Sequence, residues 1–232
     1  MKASAQDMPV KDEGMLFELR HVNVAYARHT ALRDISFTIG EGETVALIGP
    51  SGAGKTTLLK KLYAMQADEC AFVHQHYALV PQLSVFHNIY MGQLDCRPNW
   101  YNLLNLIHPR QRVMKEIYPI LDTLGMREKI FAKVASLSGG QQQRVAVGRA
   151  MYRGGRVLLA DEPVSSIDSR QGEAVLKLIV TAGKTVVAAL HSVDFARRFF
   201  GRIIGLRDGR LRFDRPAERI SQTDIDSLYA KC

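Results

Sequence analysis

The sequence predicts an α/β fold in which a largely parallel sheet carries an antiparallel β lobe and an inserted α-helical lobe. Three observations support this. Four short apolar runs show no alternation: residues 45–48 (VALI), 71–73 (AFV), 157–160 (VLLA) and 185–190 (TVVAAL). Strands buried on both faces read this way, as in a parallel sheet. Runs at 16–25 and 35–39, and a pair at 203–207 and 210–213, have an antiparallel character. From about 84 to 150 the pattern turns helical.

The last antiparallel pair is joined by Asp208-Gly209, a strong two-residue hairpin turn. Within the helical stretch Ile117, Ile120, Leu121 and Leu124 recur at helical spacing and end at Gly125, a helix C-cap. A polar or glycine-rich segment follows each of the four apolar runs. Ligands of open α/β sheets bind beyond the carboxyl ends of the strands, so these four segments are expected to face one crevice.

Bulk properties exclude several classes. With 232 residues, 47% of them hydrophobic and 23% charged, the chain can bury a core without staples. Cys70, Cys96 and Cys232 are far apart and form no CxxC pair, which argues against a disulfide framework or a zinc site. Residues 1–14 are polar and read as a flexible tail; 15–232 reads as one domain. No apolar run approaches the ~20 residues that cross a bilayer. Attachment to a membrane would therefore need partner chains. The formal charge of +8 is densest late in the chain, from Arg197 to Arg219, and reads as a solvated basic face. No nucleic-acid-binding pattern accompanies it, so no nucleic-acid partner is expected.

Gly49-Pro50-Ser51-Gly52-Ala53-Gly54-Lys55-Thr56 matches the phosphate-loop pattern GxxxxGK[ST] in full. It follows an apolar run and precedes Thr57 and a helical segment with Leu58, Leu59 and Leu62 on one side. Its glycines let backbone N–H groups turn toward phosphate oxygens, and the helix N-terminus adds positive charge. Lys55 is expected on the β- and γ-phosphates and the Thr56 hydroxyl on Mg²⁺. The third apolar run ends in Asp161-Glu162: Asp161 suits Mg²⁺, and Glu162 suits the base that directs water.

His191, at the end of the fourth run, could contact the γ-phosphate or simply cap a strand. Gln75, after the second, could ligate Mg²⁺ or position water. His74 and His76 would share a strand face and read as structural. Ser138-Gly139-Gly140-Gln141 opens a helical run and makes a second anion site of hydroxyl, N–H groups and dipole. One nucleotide needs one cradle. Two such sites in one chain suggest a nucleotide shared across a two-fold interface of a homodimer, with Lys55 from one copy and Ser138 from the other.

Walker A at 49–56, LSGGQ at 137–141 and Walker B at 157–162 stand in the order of the ABC transporter ATPases, which this chain resembles from about 16 to 229. The resemblance implies a P-loop NTPase (RecA-like) core with the antiparallel and helical lobes of the ABC type. It also implies that Gln75 is the Q-loop glutamine and His191 the switch histidine. Asp168, in Ser165-Ser166-Ile167-Asp168, resembles the D-loop aspartate, and Tyr26 resembles the aromatic that stacks on adenine. VHQHYALV at 73–80, NIYMGQL at 88–94, Trp100 and LHSVDFA at 190–196 resemble ATPases of phosphonate importers.

That likeness implies a subunit bound peripherally to the cytoplasmic face of the cell membrane. It would work with two integral permease subunits docked near 75–101 and an extracytoplasmic solute-binding protein. The alternatives are a nucleotide-gated ABC module with little hydrolysis, or a soluble ABC ATPase acting on nucleic acid. One departure is large. Only seventeen residues lie between Thr57 and Gln75, where the family has a longer segment with a β-hairpin. The phosphate site should survive this, but a smaller antiparallel lobe and a displaced Gln75 are expected.

Overall fold

The computed structural model describes residues 14–26 and 29–230. Apart from Gly14, the N-terminal tail lies outside the described residues, as does Cys232. The chain opens with two long strands, β1 (Met15–Tyr26) and β2 (His29–Gly40), paired antiparallel as a sheet of their own. Next come β3 (Thr44–Ile48), helix α1 (Lys55–Met65), a single 3₁₀ turn (Ala67–Glu69) and β4 (Cys70–Val73).

The helical stretch holds α2 (Val85–Tyr90), α3 (Asn99–Ile107), α4 (Gln111–Thr123) and α5 (Gly139–Arg153). Then follow β5 (Val157–Asp161), α6 (Ser169–Val180), β6 (Thr185–Ala189) and α7 (Val193–Phe199). The chain finishes with β7 (Arg202–Arg207), β8 (Arg210–Pro216) and α8 (Gln222–Tyr229).

Among the described residues the main sheet has the order β4-β5-β6-β3-β7-β8, parallel throughout except for β8. The absence of alternation now has its cause. Ala46, Ile48, Leu158, Ala160, Val186 and Ala188 pack into one core beside the helical lobe. Val45, Leu47, Val157, Leu159, Val187 and Ala189 point the other way, into a second core with α1, β1 and β2. Each side chain is removed from water on its own face. Leu58, Leu59 and Leu62 of α1 are fully buried, each contributing about 2 kcal/mol by burial.

The turn at Asp208-Gly209 has both residues at positive φ, 53° and 71°, as the hairpin pattern requires. The N–H of Gly125 bonds to the Asp122 carbonyl and that of Met126 to the Leu121 carbonyl, the paired bonds that close a helix at a left-handed residue.

Two expectations need correction. The short connector does not displace Gln75. The 3₁₀ turn absorbs it, and β4 is held in register on β5, with Val73 opposite Ala160. Sheet pairing, rather than the connector's length, fixes where β4 ends. The His74/His76 pair does not lie on a strand, because β4 stops at Val73; the His74 ring stacks on Phe72 instead.

Register also levels the chemistry. Val73 lies opposite Ala160, Asp161 opposite Ala189, and Leu47 opposite Ala189. The segments after β3, β4, β5 and β6 therefore leave the sheet at one edge.

Candidate nucleotide site

A cleft of about 370 Å³ opens at that edge, lined by Tyr26, Ala31, residues 51–57, Gln75 and Glu162. The loop before α1 is shaped by crowding. Gly49 has φ 149°, and a Cβ there would lie 2.0 Å from the Leu206 carbonyl oxygen of β7. Gly52, at φ 79°, has none of the described residues within 4 Å of where its Cβ would stand. Gly49→Ala is therefore expected to destabilise the fold by on the order of 3 kcal/mol, through combined overpacking and backbone strain. Gly52→Ala should cost only about 1 kcal/mol, from strain alone. Chemical denaturation without nucleotide measures both, and equal losses would contradict this reading of the loop.

The N-terminus of α1 is left open. Its N-cap, Gly54, makes no side-chain capping bond, whereas α5, α6, α7 and α8 are capped by Ser138, Asp168, Ser192 and Ser221. The α1 N–H groups have no cap to compete with a phosphate oxygen. Lys55 is buried and donates to the carbonyls of Gly49 at 2.7 Å and Pro50 at 3.1 Å. Burial lowers its pKa, while Glu162 and Asp161 push it back up.

Asp161 is buried, and desolvation raises its pKa against the lowering effect of a hydrogen bond from Thr56. Among the described residues its Oδ1 has no hydrogen-bond partner. An orphaned carboxylate oxygen beside a threonine hydroxyl is a hard-oxygen pair of the kind Mg²⁺ takes together with phosphate. Among the described residues no cluster of three His, Cys, Asp or Glu side chains could hold a metal alone.

Glu162 is the hub. Its Oε1 lies 2.6 Å from His191 Nε2, and its Oε2 accepts a 3.3 Å bond from Gln75 Nε2. Its backbone sits at φ 53°, left-handed for a non-glycine residue. Three strand ends thus converge on one carboxylate.

Ser138 to Gln141 do not line this cleft. Ser138 caps α5: its Oγ accepts from the Gln141 N–H at 3.3 Å, and Gln141 Oε1 accepts from the Ser138 N–H at 3.1 Å. Ser138 and Gly139 are exposed. Asp168 Oδ1 accepts from the Gln171 N–H, capping α6, so within one chain its role is local.

Two α5 residues escaped sequence reasoning. Buried Gln143 donates from Nε2 to the Glu162 carbonyl at 2.8 Å, and its Oε1 accepts from the Ser166 N–H at 3.0 Å. Arg149 donates to the carbonyls of Tyr77 and Ala78, both at positive φ, and so braces the loop after Gln75. A signal for Gln143 existed: it shares a helical stripe with Val147 and Ala150, so its amide had to be buried and partnered.

A model of the ABC transporter family matches residues 32–71 and 63–165. The chain belongs to that family. It is 37% identical to the phosphonates import ATP-binding protein PhnC of Pseudomonas entomophila, over 93% of this chain and 92% of that one. It is 32% identical to the same-named protein of Maricaulis maris, over 94% of each. Among solved structures it resembles the ATP-binding cassette MJ0796 in a dimeric, post-hydrolysis state bound to ADP and Pi. That match has a TM-score of 0.70 and 29% identity, over 86% of this chain and 98% of that one. A second dimeric MJ0796 structure gives a TM-score of 0.74 at 28% identity.

As an ABC cassette, the chain is an ATP-binding subunit that hydrolyses ATP to drive transport. Among the described residues no helix is long and apolar enough to cross a membrane.

Proposed function

We propose that this chain powers an importer for phosphonates or related phosphorus oxyanions, as one half of a head-to-tail homodimer closed around two ATP molecules. One observation carries the dimer. The cleft holds the phosphate loop, Tyr26, Gln75 and Glu162, while Ser138 and Gly139 stand exposed outside it. A second copy would bring its own exposed pair to this nucleotide.

Adenine stacks on Tyr26, which contributes on the order of 1 kcal/mol. The triphosphate takes the open N–H groups of α1, and Lys55 exchanges its two loop carbonyls for phosphate oxygens. Thr56, Asp161 and Gln75 would hold Mg²⁺, which when bound neutralises charge on the β- and γ-phosphates. Glu162 directs the attacking water and accepts its proton. Gln75 and His191 steady that carboxylate from either side, and His191 is also within reach of a γ-phosphate. Ser138, Gly139 and Gly140 of the second copy close on the γ-phosphate, with Gln141 and Asp168 at the same interface. Loss of the γ-phosphate removes the bridge, and the dimer opens.

Gln75 and the following loop pass this motion to two permease subunits at the cytoplasmic face of the cell membrane. An extracytoplasmic binding protein delivers the solute. Two features support docking there. A groove of about 440 Å³ runs between Phe72, His74, Met91 and Arg153. On α3, Trp100, Leu103, Leu104 and Ile107 face outward while Asn105 is buried, so an apolar stripe awaits cover.

The phosphonate assignment rests on the relatives' names. A strain lacking this chain should lose uptake of a labelled alkylphosphonate, and the tagged chain should bring integral membrane proteins through purification. Unchanged uptake, or recovery with nucleic acid instead, would overturn the assignment.

A further inference from the structure

We infer that Gln143 is a positioning residue that couples the two ATP sites of the dimer, by tying the helix that faces the partner's nucleotide to Glu162 of its own chain. This rests on the dimeric reading above. The amide is fully engaged. Nε2 donates to the Glu162 carbonyl at 2.8 Å and approaches Ser165 Oγ at 3.5 Å, and Oε1 accepts from the Ser166 N–H at 3.0 Å. Ser165 closes on the same carbonyl through its N–H at 3.3 Å and its hydroxyl at 3.2 Å. Three donors therefore converge on the one backbone oxygen that belongs to the proposed base.

That oxygen matters because Glu162 is left-handed at φ 53°, a conformation costing about 1–2 kcal/mol that contacts from its surroundings must offset. Its N–H is fixed on Ala189 at 3.1 Å, so Gln143 and Ser165 hold the other end of the residue. The aim of the carboxylate toward His191 and Gln75 follows from this clamp.

Gln143 stands one helical turn along α5 from Gly139, a backbone rise of roughly 6 Å. Gly140 packs so closely on the loop before α6 that a Cβ there would lie 2.7 Å from Ile167 Cγ2 and 3.1 Å from the Ser166 carbonyl oxygen. Helix start and loop must therefore move together. A γ-phosphate held by Ser138 and Gly139 pulls on α5, and Gln143 carries that pull to Glu162, which serves the other nucleotide. Only glutamine offers a donor and an acceptor at this reach. Glutamate lacks the donor, asparagine is one methylene short, and methionine keeps only the shape.

The test uses the full-length chain with Gln143→Met and Gln143→Glu, measuring hydrolysis against ATP concentration. The wild-type chain should show a Hill coefficient above 1, because the pull carried by Gln143 couples the sites positively. Both variants should lose about 10- to 100-fold in kcat, the scale for a misaimed catalytic group. The KM for ATP should stay within about 2-fold, and the Hill coefficient should fall to 1. Each variant, combined with Glu162→Gln, should still form an ATP-dependent dimer on gel filtration.

Wild-type kcat and cooperativity in either folded variant would overturn the inference. So would a kcat loss accompanied by an equal rise in KM. If Gln143→Met does not fold, Gln143→Glu, of the same shape, decides alone. A wild-type chain that neither hydrolyses ATP nor dimerises as Glu162→Gln would overturn the dimeric reading and this inference with it. Normal wild-type behaviour with indifferent Gln143 variants removes this inference alone.

Discussion

Glu162→Gln is expected to cut ATP hydrolysis by about 10²- to 10⁴-fold, the range for losing a general base, while ATP binding survives. The phosphate loop, Lys55 and Tyr26 do not depend on the lost proton acceptor. The amide is the same size as the carboxylate and can still bond to His191 and Gln75. The left-handed backbone is imposed from outside the side chain, by bonds to the Glu162 carbonyl and N–H. The substitution therefore separates chemistry from closure. With ATP and Mg²⁺ the variant should accumulate as a dimer on gel filtration, since in the proposed arrangement closure proceeds and the bridging γ-phosphate is not removed. A monomer under saturating ATP would contradict the shared-nucleotide arrangement, and undiminished phosphate release would remove Glu162 from its role.

Lys55→Ala is expected to weaken ATP binding by about 10- to 100-fold, with turnover falling at least as far. Charge-assisted hydrogen bonds are worth about 1.5–3 kcal/mol, and 1.4 kcal/mol is a factor of ten. The local charge balance deepens the loss. Asp161 and Glu162 face the same site, and Lys55 is the cation whose field they share. Without it, a triphosphate enters a cleft with two carboxylates and less to offset them. The folded chain should tolerate the change, because the lysine bonds freed are to loop carbonyls at the cleft. Fluorescent-nucleotide titration with a thermal melt checks both points. Full affinity in a folded variant would overturn the phosphate-loop assignment.

The sequence made the four central strands legible because a strand buried on both faces cannot alternate, and helices and β lobe cover both faces here. The phosphate loop was legible because its spacing is itself the geometry, and Asp161-Glu162 because a strand end beside such a loop leaves few roles for two acids. Gln75 was legible as a site residue, but a displacement was expected because sequence shows only the length of chain between it and Thr57. Hydrogen bonding to a neighbouring strand overrides that distance. Gln143 was passed over because its partners lie 19 to 23 residues away, on the loop after β5. The outward stripe on α3 was also hidden. Trp100, Leu103, Leu104 and Ile107 have the spacing of a buried face, but Asn105 takes the inner side by bonding to the Tyr101 carbonyl and the Arg110 N–H.

The abbreviated passage from α1 to β4 bears on how such a protein can change over time. The turn at Ala67–Glu69 is pinned at the far margin of the sheet by Gln66 on the Leu16 carbonyl and by Arg156, which pairs with Glu41 and lies near Glu69. Every residue proposed to handle phosphate hangs from the opposite margin. Residues can be gained or shed at this seam without altering the distances among Lys55, Asp161, Glu162 and His191, because the strands between act as a fixed ruler. An insertion or deletion at that seam is thus a change of length alone, paid out where no phosphate-facing residue feels it.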